Sequence, residues 1–405
     1  MKGKLNKREK GITLIALVIT IIILLILAGV ALSLVIGENG LIAKSKQGVE
    51  KYKDKTKEEQ WQLEDFEAGI EEISLAELED EEKHPELKAM ELVLEITEDN
   101  TEIYVPVYRY RDDYKYDFRI DWGDETENNQ VTNANVKTTT HTYANSGTYT
   151  ISIEGICESL YMGYDNNLIE IKQWGSTGLK NLDLIGCSNL TKIATPSKNS
   201  FINVTTFFEA FYKCSNLSEI PEKLFANCPN IESFSGTFSR CSSLINIPER
   251  LFANCPNATN FYETFYECYS LKEIPGRLFV NCSQVETFQN TFGQCSSLIS
   301  IPENLFASCN SIEIFNATFS WCMNLKEIPE GLFANCNNVK IFQETFRECN
   351  SLKSIPEGLF ENCPNVTEFD NTFRECSSLT NIPKNLFEKC LNVMSFEKTL
   401  QFSKK

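Results

Sequence analysis

Seven prolines, Pro221, Pro248, Pro275, Pro302, Pro329, Pro356 and Pro383, stand 27 residues apart. Two series of cysteines keep the same step: Cys214, Cys241, Cys268, Cys295, Cys322, Cys349 and Cys376, then Cys228, Cys255, Cys282, Cys309, Cys336, Cys363 and Cys390. One unit reads CSSLINIPERLFANCPNATNFYETFYE. A unit this short cannot bury its own apolar residues, so successive units must stack and share one core. The pattern therefore predicts a solenoid. SLINIP alternates and suits one strand per coil, which Pro248 ends because it has no N–H for the next ladder bond. ERLFANC reads as one or two helical turns on the far wall, and ATNFYETFYEC as a short extended return and a further turn. Leu244, Ile247, Leu251, Phe252, Cys255, Phe261, Phe265 and Cys268 then face inward and form ladders of Leu, Phe and Cys. Asn227, Asn254, Asn281, Asn335 and Asn362 recur before the second Cys and are expected to bond backbone groups at a corner.

The unit resembles the BspA-type leucine-rich repeat of bacterial surface proteins, and the resemblance covers about half of the chain. It implies an α/β leucine-rich-repeat-type solenoid over residues 204–405, with an end cap. The chain has sixteen cysteines. Outside a cell that number would suggest a disulfide framework. Fourteen, however, fall at the two repeated core positions beside Phe or Leu. The reading favours stacked free thiols, since Cys is a good small buried residue.

A solenoid offers its repeated exposed positions as a continuous face. Between the Leu and Ile of each strand lies a mixed stripe that includes Lys272, Glu273, Lys326, Glu327 and Lys353. Tyr266, Tyr269, Trp321 and Met323 replace small or polar residues along one edge and form a candidate patch for protein or glycan contact.

Residues 90–156 alternate apolar and polar in ELVLEI, TEIYVPVYRY, YDFRIDWGD and THTYANSGTYTISIEGI, with turns between. That is the pattern of a small antiparallel β-sandwich. IDWGDET followed by HTYANSGTYTISIEG resembles the PKD-type sandwich, although Glu125 stands where that family has Gly. Trp122 is expected in the core and Asp124 in a tight turn. Asp112, Asp113, Asp121 and Asp124 could be drawn as a calcium site, but turn chemistry accounts for them, and no metal or cofactor is expected. The passage YMGYDNNLIEIKQWGSTGLKNLDLIGCSNLTKI, within residues 157–203, resembles the junction that leads into BspA-like repeats.

The N-terminal part reads differently. Residues 12–36 carry no charge, enough for a helix of roughly 37 Å, and so to cross a bilayer. Lys2, Lys4, Lys7, Arg8 and Lys10 precede them, which places the basic leader inside and the bulk of the chain outside. The run is longer than a signal-peptide core and lacks a small-residue cleavage site. The basic leader 1–11, then ITLIALVITIII within 12–37, resembles a type IV prepilin, and the resemblance implies cleavage between Gly11 and Ile12 and pilin-like neighbours. Ala16 stands where that family usually carries Glu, which puts polymerisation in question; an uncut signal anchor is the competing reading. Residues 38–89 read as a helical stalk and an acidic linker, with Pro85 interrupting. The closing LQFSKK has no wall-sorting pattern, so anchoring falls to the N-terminal segment.

The formal net charge of −18 disfavours binding of nucleic-acid phosphates. Only two histidines, His84 and His141, are present, which starves histidine-based catalysis and most zinc chemistry. No nucleophile–base constellation or phosphate loop stands out. The expectation is a membrane-anchored, adhesin-like surface protein, not an enzyme, that binds a partner protein or glycan through its repeats. The alternative is a structural subunit of a pilus or envelope assembly with no ligand of its own.

Overall fold

The computed structural model describes residues 88–104, 107, 113–133 and 140–402. The leader, the apolar segment and the stalk lie outside these residues. Among the described residues ten strands occur: β1 (Met90–Ile96), β2 (Thr101–Tyr104), β3 (Tyr116–Asp121), β4 (Asn129–Thr132), β5 (Thr140–Tyr143), β6 (Gly147–Cys157), β7 (Ser159–Tyr161), β8 (Leu168–Gln173), β9 (Asn181–Asp183) and β10 (Lys192–Ile193). They form a six-stranded sheet in the order β10-β8-β1-β6-β3-β4 and the pairs β2-β5 and β7-β9. β3 alternates buried and exposed residues strictly, which puts Tyr116, Phe118 and Ile120 in the core. Trp122, Val131 and Tyr143 join them from β4, β5 and the turn after β3. The Tyr143 hydroxyl donates to the Trp122 carbonyl at 2.8 Å, and Trp122 Nε1 donates to Asn129 Oδ1 at 3.0 Å.

The sheet does not stop at the sandwich. β10 belongs to the first coil and pairs in parallel with β8, which pairs with β1. β7 continues directly from β6 and pairs in parallel with β9. Leu184, just after β9, donates its N–H to the Ala210 carbonyl at 2.9 Å, as Phe211 does to Thr237 one coil later. Both stacked walls of the solenoid thus start inside the sandwich sheets, and one apolar core runs through both. Trp174 seals the junction: it is buried, rests on Phe201 at 4.8 Å and donates Nε1 to Ala194 O at 2.6 Å. Gly175 is required beside it, because a Cβ there would sit 2.6 Å from Lys88 O.

Two expectations about the coil are corrected. The described residues contain no helix. ERLFANC forms successive turns with bonds three residues back, such as Ala253 N to Arg250 O at 2.9 Å and Cys255 N to Phe252 O at 3.0 Å. The solenoid is therefore built of short extended pieces and turns rather than α/β units. The run is bounded by Pro248 and Pro256, too short to repay helix nucleation. The main inter-coil ladder also lies elsewhere. SLINIP makes only a few bonds per interface, for example Ser270 N to Ser242 O at 3.2 Å and Lys272 N to Ile245 O at 3.3 Å, and only Ser354 and Asn381 reach a bridge there. The bridges run instead through the return segment, Thr206–Ser233–Asn260–Thr287–Ile314–Ile341–Glu368–Ser395.

Beyond each bridge the backbone alternates. The N–H groups of Phe207, Glu209, Phe211 and Lys213 donate to the next coil's Ser233, Ser235, Thr237 and Ser239 carbonyls at 2.8–3.1 Å, while Ala210 and Tyr212 bond three residues back. The alternation requires left-handed residues, and Glu209 and Lys213 have φ of 51° and 60°. Side chains lock the same wall. Thr318 Oγ1 lies 2.8 Å from Phe315 O and 2.9 Å from Phe288 O of the preceding coil, and its equivalents repeat this. Phe238, Phe265, Phe292, Phe319, Phe346 and Phe373 stack on Phe211 and on one another at 5.3–5.7 Å, within 7° of parallel.

Candidate binding edge of the repeat array

The second left-handed residue of each coil, immediately before the first Cys, turns the chain over one edge. Lys213, Arg240, Glu267, Gln294, Trp321, Glu348 and Glu375 hold this place, with φ of 57–63°. Just before them come Tyr212, Ser239, Tyr266, Gly293, Ser320, Arg347 and Arg374, and just after the Cys come Ser242, Tyr269, Ser296 and Met323. The fold therefore brings the four residues of the sequence-derived patch to one edge. Tyr269, Trp321 and Met323 are exposed there, while Tyr266 is half-buried, with its ring against Gly293.

Charged neighbours hold the aromatics. Arg240 lies over the Tyr212 ring at 5.6 Å and meets Glu267 at 3.3 Å. The Tyr269 hydroxyl donates to Glu267 Oε2 at 2.8 Å, and Gln294 Nε2 donates to the Tyr266 hydroxyl. Partial burial, and then the Glu267 carboxylate, push the Tyr269 hydroxyl up to about 12. Arg347 lies over Trp321 at 5.8 Å and pairs with Glu344 at 3.1 Å. The result is a polar–aromatic edge whose side chains are held in place by one another. Sequence reading missed Tyr212, Arg240, Glu267, Gln294 and Arg347. Their shared place in the period was the available signal, since they sit in the same columns as Tyr266 and Trp321.

The stripe residues Lys272, Glu273, Lys326, Glu327 and Lys353 are all exposed, on the wall that continues from β8 and β10. Ile245 and Ile299 are exposed in the same column as Lys272, Lys326 and Lys353, so the stripe is mixed in character. Gly11 and Ile12 lie outside the described residues. A shallow open groove of about 570 Å³ runs past Ala226, Pro229, Ala253 and Pro256. The Asn254 and Asn281 amides that line it already donate to the Ala226 and Ala253 carbonyls of the preceding coil, at 3.0 and 3.2 Å.

All sixteen cysteines are free and buried. The first-column thiols donate to backbone carbonyls of the preceding coil, as in Cys295 Sγ to Phe265 O at 3.2 Å. Burial pushes their pKa values far up, so they stay protonated and are poor nucleophiles. Among the described residues no group of three or more His, Cys, Asp or Glu could hold a metal ion. Asp121 accepts from Gly123 N at 2.9 Å, and Asp124 from Thr126 Oγ1 at 2.6 Å, so both are committed to their turn. Asp124 also meets His141 Nε2 at 2.8 Å, and His141 stacks on Trp122 at 4.6 Å.

These coils, joined through a parallel bridge column and repeated Leu, Phe and Cys ladders, make the C-terminal part a leucine-rich-repeat solenoid. Residues 184–343 and 246–402, together more than half of the chain, match the BspA type leucine rich repeat region in six copies. The chain belongs to that family. No curated protein matches it. Among solved structures, the Toll–Spatzle complex of Drosophila, described as a hub in development and innate immunity, is similar at 15% identity with a TM-score of 0.21. The match covers 54% of this chain and 36% of that one, so it spans little more than a third of that chain.

Proposed function

We propose that this chain is a non-enzymatic bacterial surface protein, anchored by its apolar N-terminal segment, whose repeat edge binds a partner protein or glycan. The observation that carries the reading is the edge itself. Tyr269, and two coils further on Trp321 and Met323, stand exposed along one edge of a BspA-type array, braced by Arg240, Glu267 and Arg347. Aromatic residues and Arg on a rigid support suit a contact surface, because they offer area at low entropic cost.

In this reading residues 12–36 lie in the cytoplasmic membrane and everything behind them is extracellular. The domain that precedes the repeats is read as PKD-like from its WGD turn and its His141-to-Gly155 strand pair. The prepilin-like leader adds a finer proposal, that a peptidase cuts between Gly11 and Ile12 and hands the chain to a pilin-like assembly as a minor subunit. Ala16 removes the intramembrane carboxylate that would pair with a neighbour's new amine, and a charge in that setting is favourable only when paired. A ligand-free structural subunit is therefore the second reading. Catalysis is not proposed, since protonated, stacked thiols serve packing.

Binding of the purified chain to a panel of matrix proteins and surface glycans tests the main reading. Tyr269→Ala with Trp321→Ala should lower binding to any positive member at least tenfold. Binding that ignores the double substitution would remove the edge from the proposal, and a wholly blank panel together with loss of filaments on deletion would favour the structural subunit. The N-terminal residue of the protein from its own membrane decides processing: Ile12 supports it, Met1 or Lys2 rejects it.

A further inference from the structure

The aromatic residues of the candidate edge keep a step of two coils. One column reads Tyr212, Ser239, Tyr266, Gly293, and the column after the first Cys reads Ser242, Tyr269, Ser296, Met323. A third, four residues before the first of these, reads Phe208, Ser235, Tyr262, Gln289. Large side chains thus stand at the coils of Cys214, Cys268 and Cys322, where Trp321 joins Met323. Small or polar ones fill the coils of Cys241 and Cys295 between them. Phe208 is 58% exposed, Tyr269 41% and Trp321 38%, so each of the three aromatic coils offers ring surface to a partner. Tyr266 lies lower, over Gly293, where a Cβ would stand 3.1 Å from its ring; the gap before Trp321 is therefore shallow. Bridged backbones lie about 4.8 Å apart, which makes a two-coil step about 10 Å. The Phe rings beneath the edge step by 5.3–5.7 Å from Phe211 to Phe319, in keeping with that length. Charge along the edge cancels locally, because Arg240 pairs with Glu267 and Arg347 with Glu344.

We infer that the ligand of this edge is an extended, uncharged β-1,4-linked glycan that runs along the array, one disaccharide to every two coils. The inference rests on the reading that the edge is the contact surface, and it names the class of partner. In such a glycan the ring substituents are equatorial, so each sugar presents a face of C–H groups, and these stack on the negative face of an aromatic ring. Successive sugars are turned over, so like faces recur at every second sugar, and one disaccharide is close in length to two coils. The sugar between two stacked ones then lies over Ser242, Gln294 and Ser296, whose polar groups suit its hydroxyls. Cancelled charge favours a neutral chain over a polyanion. Peptides match the edge less well. An extended strand repeats its same-face side chains at roughly 6.6 Å and falls out of step after one ridge. A helix returns after seven residues, about 10.5 Å, but it would lay an apolar stripe across gaps floored by Ser and Gln.

Calorimetric titration of the full-length chain in detergent with cellohexaose and with chitohexaose tests this. Binding of either is expected, and which one binds tells a glucan from an N-acetylglucosamine polymer. The hexasaccharide should bind at least tenfold more tightly than the matching disaccharide, which reaches only one ring, and maltohexaose, whose α-linkages curl the chain, should not bind. The step itself is tested by Trp321→Gln combined with Gln294→Trp. Both positions are left-handed, with φ of 62° and 60°, so the exchange moves the ring by one coil without a new backbone demand. It should leave the melting temperature unchanged and weaken the hexasaccharide at least tenfold, as Trp321→Ala should. Equal binding by the exchanged variant, or by maltohexaose, would overturn the inference, and so would silence with both β-linked probes up to millimolar concentration. A protein ligand from the panel that is lost on Tyr269→Ala with Trp321→Ala, while both hexasaccharides stay silent, would overturn the glycan and leave the edge standing as a contact surface.

Discussion

At the scale of single residues, the first-column cysteine does two things that no common replacement does together. It fills a small apolar site, and its S–H donates to a carbonyl of the coil before, at 3.0–3.3 Å from Cys214 to Cys376. Burial keeps these thiols protonated, so the native protein should react with almost none of a thiolate-selective reagent at pH 8, and all sixteen groups should react after denaturation. Cys390, the least buried of the sixteen, has its pKa raised only to about 11 and should be the first to label. Rapid native labelling at the inner coils, read by mass spectrometry, would contradict the packing described. The Thr column makes a similar case: Thr318→Val keeps the shape but removes a donor held between two carbonyls, and should cost about 1 kcal/mol by denaturant titration. In the sandwich, the Thr126 and His141 contacts outweigh the opposing effect of burial and lower the Asp124 pKa. A depressed folded pKa means stability that is full above the ordinary carboxylate range, about pH 4, and is lost as pH falls through the folded value. The sandwich should therefore melt earlier below about pH 4, and Asp124→Asn should remove that part of the acid slope.

At the scale of the element, the unit is a coil that needs two left-handed residues, and the chain mostly supplies them with side chains that resist that conformation. Ala317 has φ of 51° and Trp321 62°; only Gly236 answers the need with glycine in this column. A left-handed L-residue costs roughly 1–2 kcal/mol, and glycine returns part of the gain through unfolded-state entropy. Ala317→Gly should accordingly stabilise by about 0.5–1 kcal/mol, while Ala317→Val should destabilise by more than 1 kcal/mol. Chemical denaturation of the two variants reads both signs. These turns also mark what the sequence could show. The inward set from Leu244 to Cys268 follows from the period alone and is buried throughout. The second Cys, preceded by Asn254, Asn281 and Asn335, marks a corner whose amides bond the preceding coil's carbonyls. The backbone route between such points was not legible, because left-handed residues such as Glu267 and Trp321 leave no mark in residue type. The ladder was expected at SLINIP, where Leu–Ile alternation is visible, and it runs instead through Thr206, Ser233 and Asn260, which no apolar alternation betrays. β4 was missed for a like reason, since Val131 is its one buried residue. On the candidate edge, aromatic departures from the consensus were visible, while their charged partners looked like ordinary surface.

At the scale of the whole molecule, the sandwich acts as the template on which the solenoid starts. No linker separates them, because β6 runs into β7 and β8 pairs with both β1 and β10. In a one-dimensional array each coil owes its stability to its neighbours, so the end fixed on the sandwich should suppress fraying. Amide hydrogen exchange should show high protection in β1, β6 and β8 and in the coils that pair with them. Trp174→Ala deletes the buried indole at the junction and should cost about 3–5 kcal/mol. If sandwich and first coils are one cooperative body, that change should lose protection on both sides at once, in β1 and β8 as well as in the coils around Phe201 and Phe211. Loss confined to the coils, with the sandwich unaffected, would mean that the shared sheet joins two independently stable bodies, and the solenoid would then fold from within its own repeats.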